Sequence, residues 1–301
     1  MNSNKIKRKQ FIKDGYFVGK INLKVVKELR TQLLSIFNTV SKHSNGIKIK
    51  NDSDLIKLYN SNKRFVWETA YELRFFEPLV YKLAVRKEIF NFAKIAGIKK
   101  PHFKVAPNLR FDMPHNYKIS KSPYHPFKVH QDHPFTKGSK NSVVIWIPLQ
   151  DAVVGNGALK IVEGSHKGRK VYKTDKYGII KSKYKFVFKD AQFKLGEVLI
   201  FDQCLVHKSG YNSSNSVRFS IQLRVHDLSE KDSVSQLLLG AFCYPVPWTF
   251  LLLTRIYQHF YTTESPNIRG QCGICAATSV GRQSVVILVH EKAFRDLGSV
   301  L

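Results

Sequence analysis

The apolar residues change their period near residue 100, and that change limits the folds open to this chain. Across residues 23–40, Val25, Val26, Leu29, Leu33, Leu34 and Phe37 recur at helical spacing, and across residues 79–96, Leu79, Leu83, Val85, Ile89, Phe92 and Ala96 do the same. Downstream, residues 105–113, 142–149, 158–162, 197–201 and 217–225 are short alternating or β-branched runs separated by Gly, Pro and Asn, the pattern of an antiparallel strand series. Helices first and strands afterwards predict helices packed on the outside of a β-sandwich or jelly roll, and argue against alternating βαβ units.

With 43% hydrophobic and 12% aromatic residues, the 301-residue chain can bury a substantial core, which excludes a wholly disordered basic tail. At about 150 residues per domain, one large domain or two small ones are allowed. Four cysteines are too few for a disulfide scaffold and indicate a reducing compartment. The N-terminal MNSNKIKRKQFIKDGYF is basic but lacks the apolar run of about seven residues that a secretory signal needs, so a cytoplasmic location is expected. The apolar stretch 237–253 is interrupted by Pro245 and Pro247 and falls short of the roughly 20 residues of a spanning helix, so no membrane span is expected.

Charge divides the chain. The net charge is +27, with 44 Lys+Arg against 19 Asp+Glu up to residue 240 and 5 against 3 beyond it. Only Lys292 follows residue 240, whereas Cys243, Cys272 and Cys275 all lie there. A domain over residues 1–235 and a tail over residues 236–301 of different composition are therefore expected; an appended element, a buried extension and foreign sequence joined to the domain all fit that tail. Cys272-Gly-Ile-Cys275 has the spacing of half a zinc site or a redox pair, but no second pair or matching His spacing completes it. The lysine-rich residues 167–194 read as an exposed loop insertion. A strongly basic field steers anionic substrates. It also fits a basic nucleic-acid-binding jelly roll without catalysis, though the lysines are dispersed and no nucleic-acid motif appears, and it fits the lysine-rich usage of an AT-rich genome.

One group of residues carries chemistry. In His130-Gln131-Asp132, strand alternation puts His130 and Asp132 on the same face, about 7 Å apart at the backbone. His207 follows the strand ending near residue 201 and a short turn, as it would at the end of a neighbouring strand. Two imidazoles and one carboxylate on one side of a metal leave open positions opposite, the arrangement of a non-haem Fe(II) oxygenase. Arg218 lies 11 residues after His207 on the next strand, where its guanidinium can bind the far carboxylate of a keto diacid in bidentate fashion, with Ser209 as a second donor. Arg110, in NLRFDMP, either reaches the cosubstrate or an anionic substrate or makes an ordinary salt bridge at the sheet edge. His166 reads as a loop hydrogen-bonding residue, His125 and His133 as bystanders, Asp202 as structural, and Asn156 and Gly157 as turn formers.

The runs KVHQDHPF, VVIWIPLQDAVVGNGALKIVEGSHKGR and GEVLIFDQCLVHKSGYNSSNSVRFSIQLRV, with FIKDGYFV near the N-terminus, resemble the phytanoyl-CoA dioxygenase family over roughly residues 11–227. The resemblance implies a double-stranded β-helix (a cupin-like jelly roll) with flanking helices, and an enzyme that uses Fe(II), 2-oxoglutarate and O2. It implies that His130, Asp132 and His207 bind iron, that Arg218 pairs with the C5 carboxylate of 2-oxoglutarate, and that Ser209 and Trp146 line the same pocket. It further implies hydroxylation of an aliphatic C–H bond of a small anionic metabolite or acyl-CoA, with release of succinate and CO2. Asp132 supports hydroxylation, because halogenases of the family lack that carboxylate.

Overall fold

A computed structural model describes residues 3–103, 105–114, 128–136 and 138–233, all within one compact unit, Met1–Cys243. The expectations for the tail 236–301, for the apolar stretch 237–253, for Cys243, Cys272 and Cys275, and for His125 lie outside the described residues. Among the described residues no helix is long and apolar enough to cross a membrane.

The N-terminal part is helical, with one early strand. Helix α1 (Ser3–Asp14) ends at Gly15, which turns the chain into β1 (Tyr16–Lys20). Helix α2 (Leu23–Asn45) runs five residues beyond its expected end and stops at Gly46, whose φ of 67° suits the left-handed cap. Asparagine side chains start the next turns: Asn22 accepts from Lys24 N, Asn51 from Asp54 N at the head of α3 (Asp52–Ser61), and Asn62 from Phe65 N at the head of α4 (Lys63–Phe76). The single helix expected over residues 79–96 is two helices, α5 (Pro78–Ala84) and α6 (Lys87–Ile95). The chain breaks at Val85 and Arg86, where Arg86 takes an extended conformation and pairs with Glu88 in the first turn of α6. Helical period survives across such a break because both helices bury their apolar faces in the same core cluster.

Six strands form the larger sheet, in the order β1-β7-β4-β9-β2, with β3 (Asn108–Asp112) also on β9. Its members β4 (Ser142–Pro148), β7 (Glu197–Asp202) and β9 (Arg218–Asp227) lie where alternation placed them, and β2 (Pro101–Phe103) and β3 pair with successive stretches of β9. A smaller sheet, β6-β5-β8, joins β5 (Leu159–Ile161), β6 (Lys189–Ala191) and β8 (His207–Ser209). All pairings within these sheets are antiparallel.

Alternation along the strands divides the core. Val143, Ile145 and Ile147 of β4, Val198 and Ile200 of β7, and Phe219, Ile221, Leu223 and Val225 of β9 pack with the helical residues Leu29, Leu33, Phe37, Leu55 and Leu83. The opposite face of the same strands gives Val144 and Trp146, Leu199 and Phe201, which pack with Leu159, Ile161 and Ala191 of the smaller sheet. Each fully buried Leu or Phe stabilises this arrangement by about 1.5–3 kcal/mol relative to exposure. A helix-backed sheet facing a second sheet is the expected jelly roll, and chemistry-bearing residues collect at β8.

Residues 167–194 are more than an exposed insertion. They contain a 3-10 turn (Lys167–Arg169) and strand β6, and they are fastened to the chain around His130. The buried Gln131 amide donates to Lys170 O at 2.8 Å and Cys204 O at 2.6 Å and accepts from Tyr172 N at 3.0 Å, while Ile180 N donates to Val129 O at 2.9 Å. Lysines alternate with half-buried Tyr184, Phe186 and Phe188, whose rings pack against one another and, for Tyr184 and Phe186, against Tyr172. Charge alone concealed that anchored face.

Candidate active site

His130 and His207 are joined by backbone: each N–H donates to the other's carbonyl, at 2.9 and 3.0 Å. This isolated bridge extends the smaller sheet by one residue and brings the ring centroids to 4.1 Å. Asp132, two residues on, heads the short helix α7 (His133–Thr136), and its carbonyl accepts from Phe135 N and Thr136 N. One ligand atom from each of His130, Asp132 and His207 lies within 4.8 Å of the others, and all three residues are buried.

Both imidazoles are oriented by their Nδ1 atoms. His130 Nδ1 donates to Lys128 O at 2.7 Å and His207 Nδ1 donates to Leu205 O at 3.0 Å. That tautomer leaves Nε2 as the bare acceptor on each ring, the form in which a histidine ligates a metal. Burial, and then the neighbouring His207, hold the pKa of His130 well below the usual imidazole value. Burial lowers His207 as well, against the raising pull of Asp132, so both rings are neutral at neutral pH. Burial pushes Asp132 upward, but Arg224 and the two histidines outweigh it and bring its pKa down to about 2. The result is two neutral imidazoles and one carboxylate, a donor set that fits a divalent iron and leaves further positions open.

Alternation on β9 builds the second part of the site. Arg218, Ser220, Gln222 and Arg224 share one face of the strand, opposite the apolar residues that meet the helices. Arg218 is fully buried and ion-paired with Asp112 of β3, its register partner. The guanidinium carbon lies 5.3 Å from the Trp146 ring centroid. Arg218 Nε and Trp146 Nε1 are buried donors with no hydrogen-bond partner among the described residues, which fits a pocket for an anionic, oxygen-rich ligand. Ser209 is buried and lies two residues from His207 on β8, on the same face. Arg110 Nε donates to both oxygens of Asp112, at 3.2 and 3.3 Å. One carboxylate therefore serves two guanidiniums.

The turn carrying Asn156 and Gly157 closes over Arg218. Asn156 accepts from Val153 N at 2.9 Å and donates to Asp151 O at 2.6 Å, while Gly157 has a φ of 87° and a Cβ there would lie 3.4 Å from Arg218 Nε. His166 stands outside the cluster and donates through Nε2 to Ile12 O at 3.2 Å. His133 is also outside it, with Nδ1 accepting from the Gln203 amide at 3.0 Å. Asp202 accepts from Cys204 N at 2.7 Å and is not a member of the triad.

Two residues of the site went unread in the sequence, Asp112 and Arg224. Arg224 was detectable, because it is an even number of residues from Arg218 on one strand and must share its face. Asp112 had no comparable local signal, since only the β3–β9 register sets it against Arg218.

Solved structures with this fold include the epimerase SnoN in complex with Fe3+, alpha ketoglutarate and nogalamycin RO, at 15% identity over 75% of this chain and 84% of that one, with a TM-score of 0.53. EctD from S. alaskensis matches in its form with bound Fe, at 15% identity over 76% and 78% of the two chains with a TM-score of 0.53. The same protein with 2-oxoglutarate and 5-hydroxyectoine matches at 16% identity over 76% and 77%, with a TM-score of 0.52. No curated protein matches the chain in sequence. The fold is shared with iron- and 2-oxoglutarate-binding proteins, and His130, Asp132 and His207 form a cluster that could hold a metal ion. The family model for phytanoyl-CoA dioxygenase matches residues 78–220 of the chain, which with the fold and the triad supports an enzyme of the 2-oxoglutarate-dependent oxygenase type.

Proposed function

We propose that His130, Asp132 and His207 bind Fe(II) and that Arg218 holds the C5 carboxylate of 2-oxoglutarate, with Ser209 and Trp146 lining the same pocket. The protein is then a dioxygenase that hydroxylates an aliphatic C–H bond of a small anionic metabolite or acyl-CoA thioester, releasing succinate and CO2. The observation that carries this reading is the buried cluster of three ligand atoms within 4.8 Å, both of whose imidazoles are held in the ligating tautomer. Residues 1–235 form the catalytic domain, and the reducing cytoplasm suits both ferrous iron and the free, buried thiol of Cys204.

Iron, when bound, supplies the redox centre at which O2 and 2-oxoglutarate are consumed. The chain's own residues prepare the surroundings. Lys128 O and Leu205 O fix the two rings, so their Nε2 lone pairs converge without rearrangement. Arg218 pairs with Asp112, and its Nε has no hydrogen-bond partner among the described residues, which leaves a donor for a ligand carboxylate. Trp146 and Phe201, both buried, exclude water from one wall. Phe201 packs edge-on against His207, with centroids 4.8 Å apart. The basic field of the domain favours approach of an anionic substrate.

Anaerobic addition of Fe(II) and 2-oxoglutarate tests the assignment. A weak visible charge-transfer band is expected in the wild type and not in Asp132→Ala; absence of the band, or its persistence in the variant, overturns the triad. Substrate is then sought by screening metabolite extracts for stimulated succinate formation. A product heavier by one oxygen atom establishes hydroxylation, and a product of unchanged mass rejects it.

A further inference from the structure

Arg224 and Asp132 form a contact that the proposed chemistry has not yet used. Arg224 Nε and Nη2 both donate to the same oxygen, Oδ1 of Asp132, at 2.9 and 2.6 Å. The other oxygen, Oδ2, lies 3.4 Å from His207 Nε2 and is the one turned into the ligand cluster. Asp132 is 2% exposed, so water does not compete for either oxygen. The two ends of this bond come from different parts of the fold. Asp132 follows the residue that bridges to β8 of the smaller sheet, while Arg224 stands on β9 of the larger sheet, opposite Val144 of β4. Arg224 Nη2 also reaches Gln222 Oε1, at 3.2 Å, which steadies the guanidinium along the strand.

A carboxylate free in a metal site can ligate through one oxygen or both. Here, ligation through both would require Oδ1 to give up two charge-assisted hydrogen bonds from a single guanidinium, the stronger kind of hydrogen bond. We propose that Arg224 is a positioning residue for Asp132, confining it to one-oxygen ligation through Oδ2 and keeping the remaining coordination positions open for the cosubstrates. This rests on the reading of His130, Asp132 and His207 as the iron site. It adds that the number of open positions is enforced from the opposite sheet. A lysine in the same place would keep the charge but lose the fork that saturates one oxygen.

Cobalt(II) alone is a suitable probe, because its visible spectrum reports coordination number without turnover. Wild-type protein binds Co(II), and His207→Ala does not; failure of the wild type to bind overturns the iron site itself and is thereby distinguished from failure of the present proposal. With binding established, Arg224→Met is expected to weaken Co(II) affinity by about tenfold or more, the scale of outer-sphere changes, and to alter the intensity of the visible bands. Arg224→Lys is expected to regain part of the affinity and none of the wild-type spectrum. An unchanged spectrum in Arg224→Met overturns the proposal. If Arg224→Met does not fold, Arg224→Lys carries the same test, and a wild-type spectrum in that variant overturns it.

Discussion

His130 and His207, 77 positions apart in the chain, exchange both backbone hydrogen bonds across one antiparallel bridge. The two imidazoles converge because the main chain is paired. An alanine at either position keeps the bridge, since no backbone donor or acceptor is altered. His130→Ala and His207→Ala are accordingly expected to remain folded by circular dichroism while losing Fe(II) affinity by more than the roughly 10–100-fold typical of outer-sphere changes. Retained affinity in a folded variant would mean that the cluster is not the iron site.

The Arg218–Asp112 pair allows stability to be separated from the cosubstrate binding proposed for Arg218. Asp112→Ala leaves a buried guanidinium with one fewer counter-charge, and breaking a buried pair from one side costs about 3–5 kcal/mol. Denaturant unfolding of this variant is expected to show a loss of that order. Arg218→Met in combination with Asp112→Leu is expected to recover most of it, because apolar groups of similar volume tolerate burial, yet to leave succinate formation unsaturable by 2-oxoglutarate. Normal saturation in the double variant would remove Arg218 from the cosubstrate site.

Asp202 gives the fold a pH dependence. Burial raises its pKa from the ordinary carboxylate value of 3.8 to about 6, against the lowering effect of the Cys204 N–H and of Arg169. The native state thus holds this proton more tightly than the unfolded chain does. Its contribution is complete below about pH 4 and is lost as pH rises through 6, a difference of about 2–3 kcal/mol. Asp202→Asn is expected to match wild-type stability near pH 4 and to exceed it by that order at pH 8. Equal stability of the two proteins at pH 8 would contradict the burial argument.

Gly15 joins α1 to β1 at a φ of 90°, and a Cβ there would lie 2.5 Å from His166 Nδ1 and 2.6 Å from the Leu205 side chain. Gly15→Ala is expected to lower stability by more than about 1 kcal/mol, from the backbone conformation and the clash together. Adding His166→Ala relieves one of the two contacts and is expected to return part of the loss in thermal unfolding. No recovery would place the cost in the backbone and the Leu205 contact.

Local period explains what could be read early. Alternation in β4 and β9 places the strands, since every second residue must meet either the helices or the smaller sheet, and that requirement is written in consecutive residues. The spacing within His130-Gln131-Asp132 and the position of His207 after a strand gave the triad for the same reason. Period was insufficient at Val85–Arg86, because two short helices buried in one core cluster keep the apolar rhythm of a single long one. Lysine content likewise masked the anchored stretch 167–194, whose half-buried aromatic row and Gln131 contacts hold it in place.

By itself, then, the sequence determined the layer order, the strand faces and which two histidines and carboxylate come together. Tertiary structure alone decided how those residues are held. Arg224 on Oδ1 of Asp132, Asp112 between Arg110 and Arg218, and Gln131 on the 170–172 loop each join segments far apart in the chain. Such contacts follow from register and sheet-to-sheet packing, which no local pattern encodes: a one-residue slip of a strand would turn every side chain to the other face while leaving the sequence period unchanged.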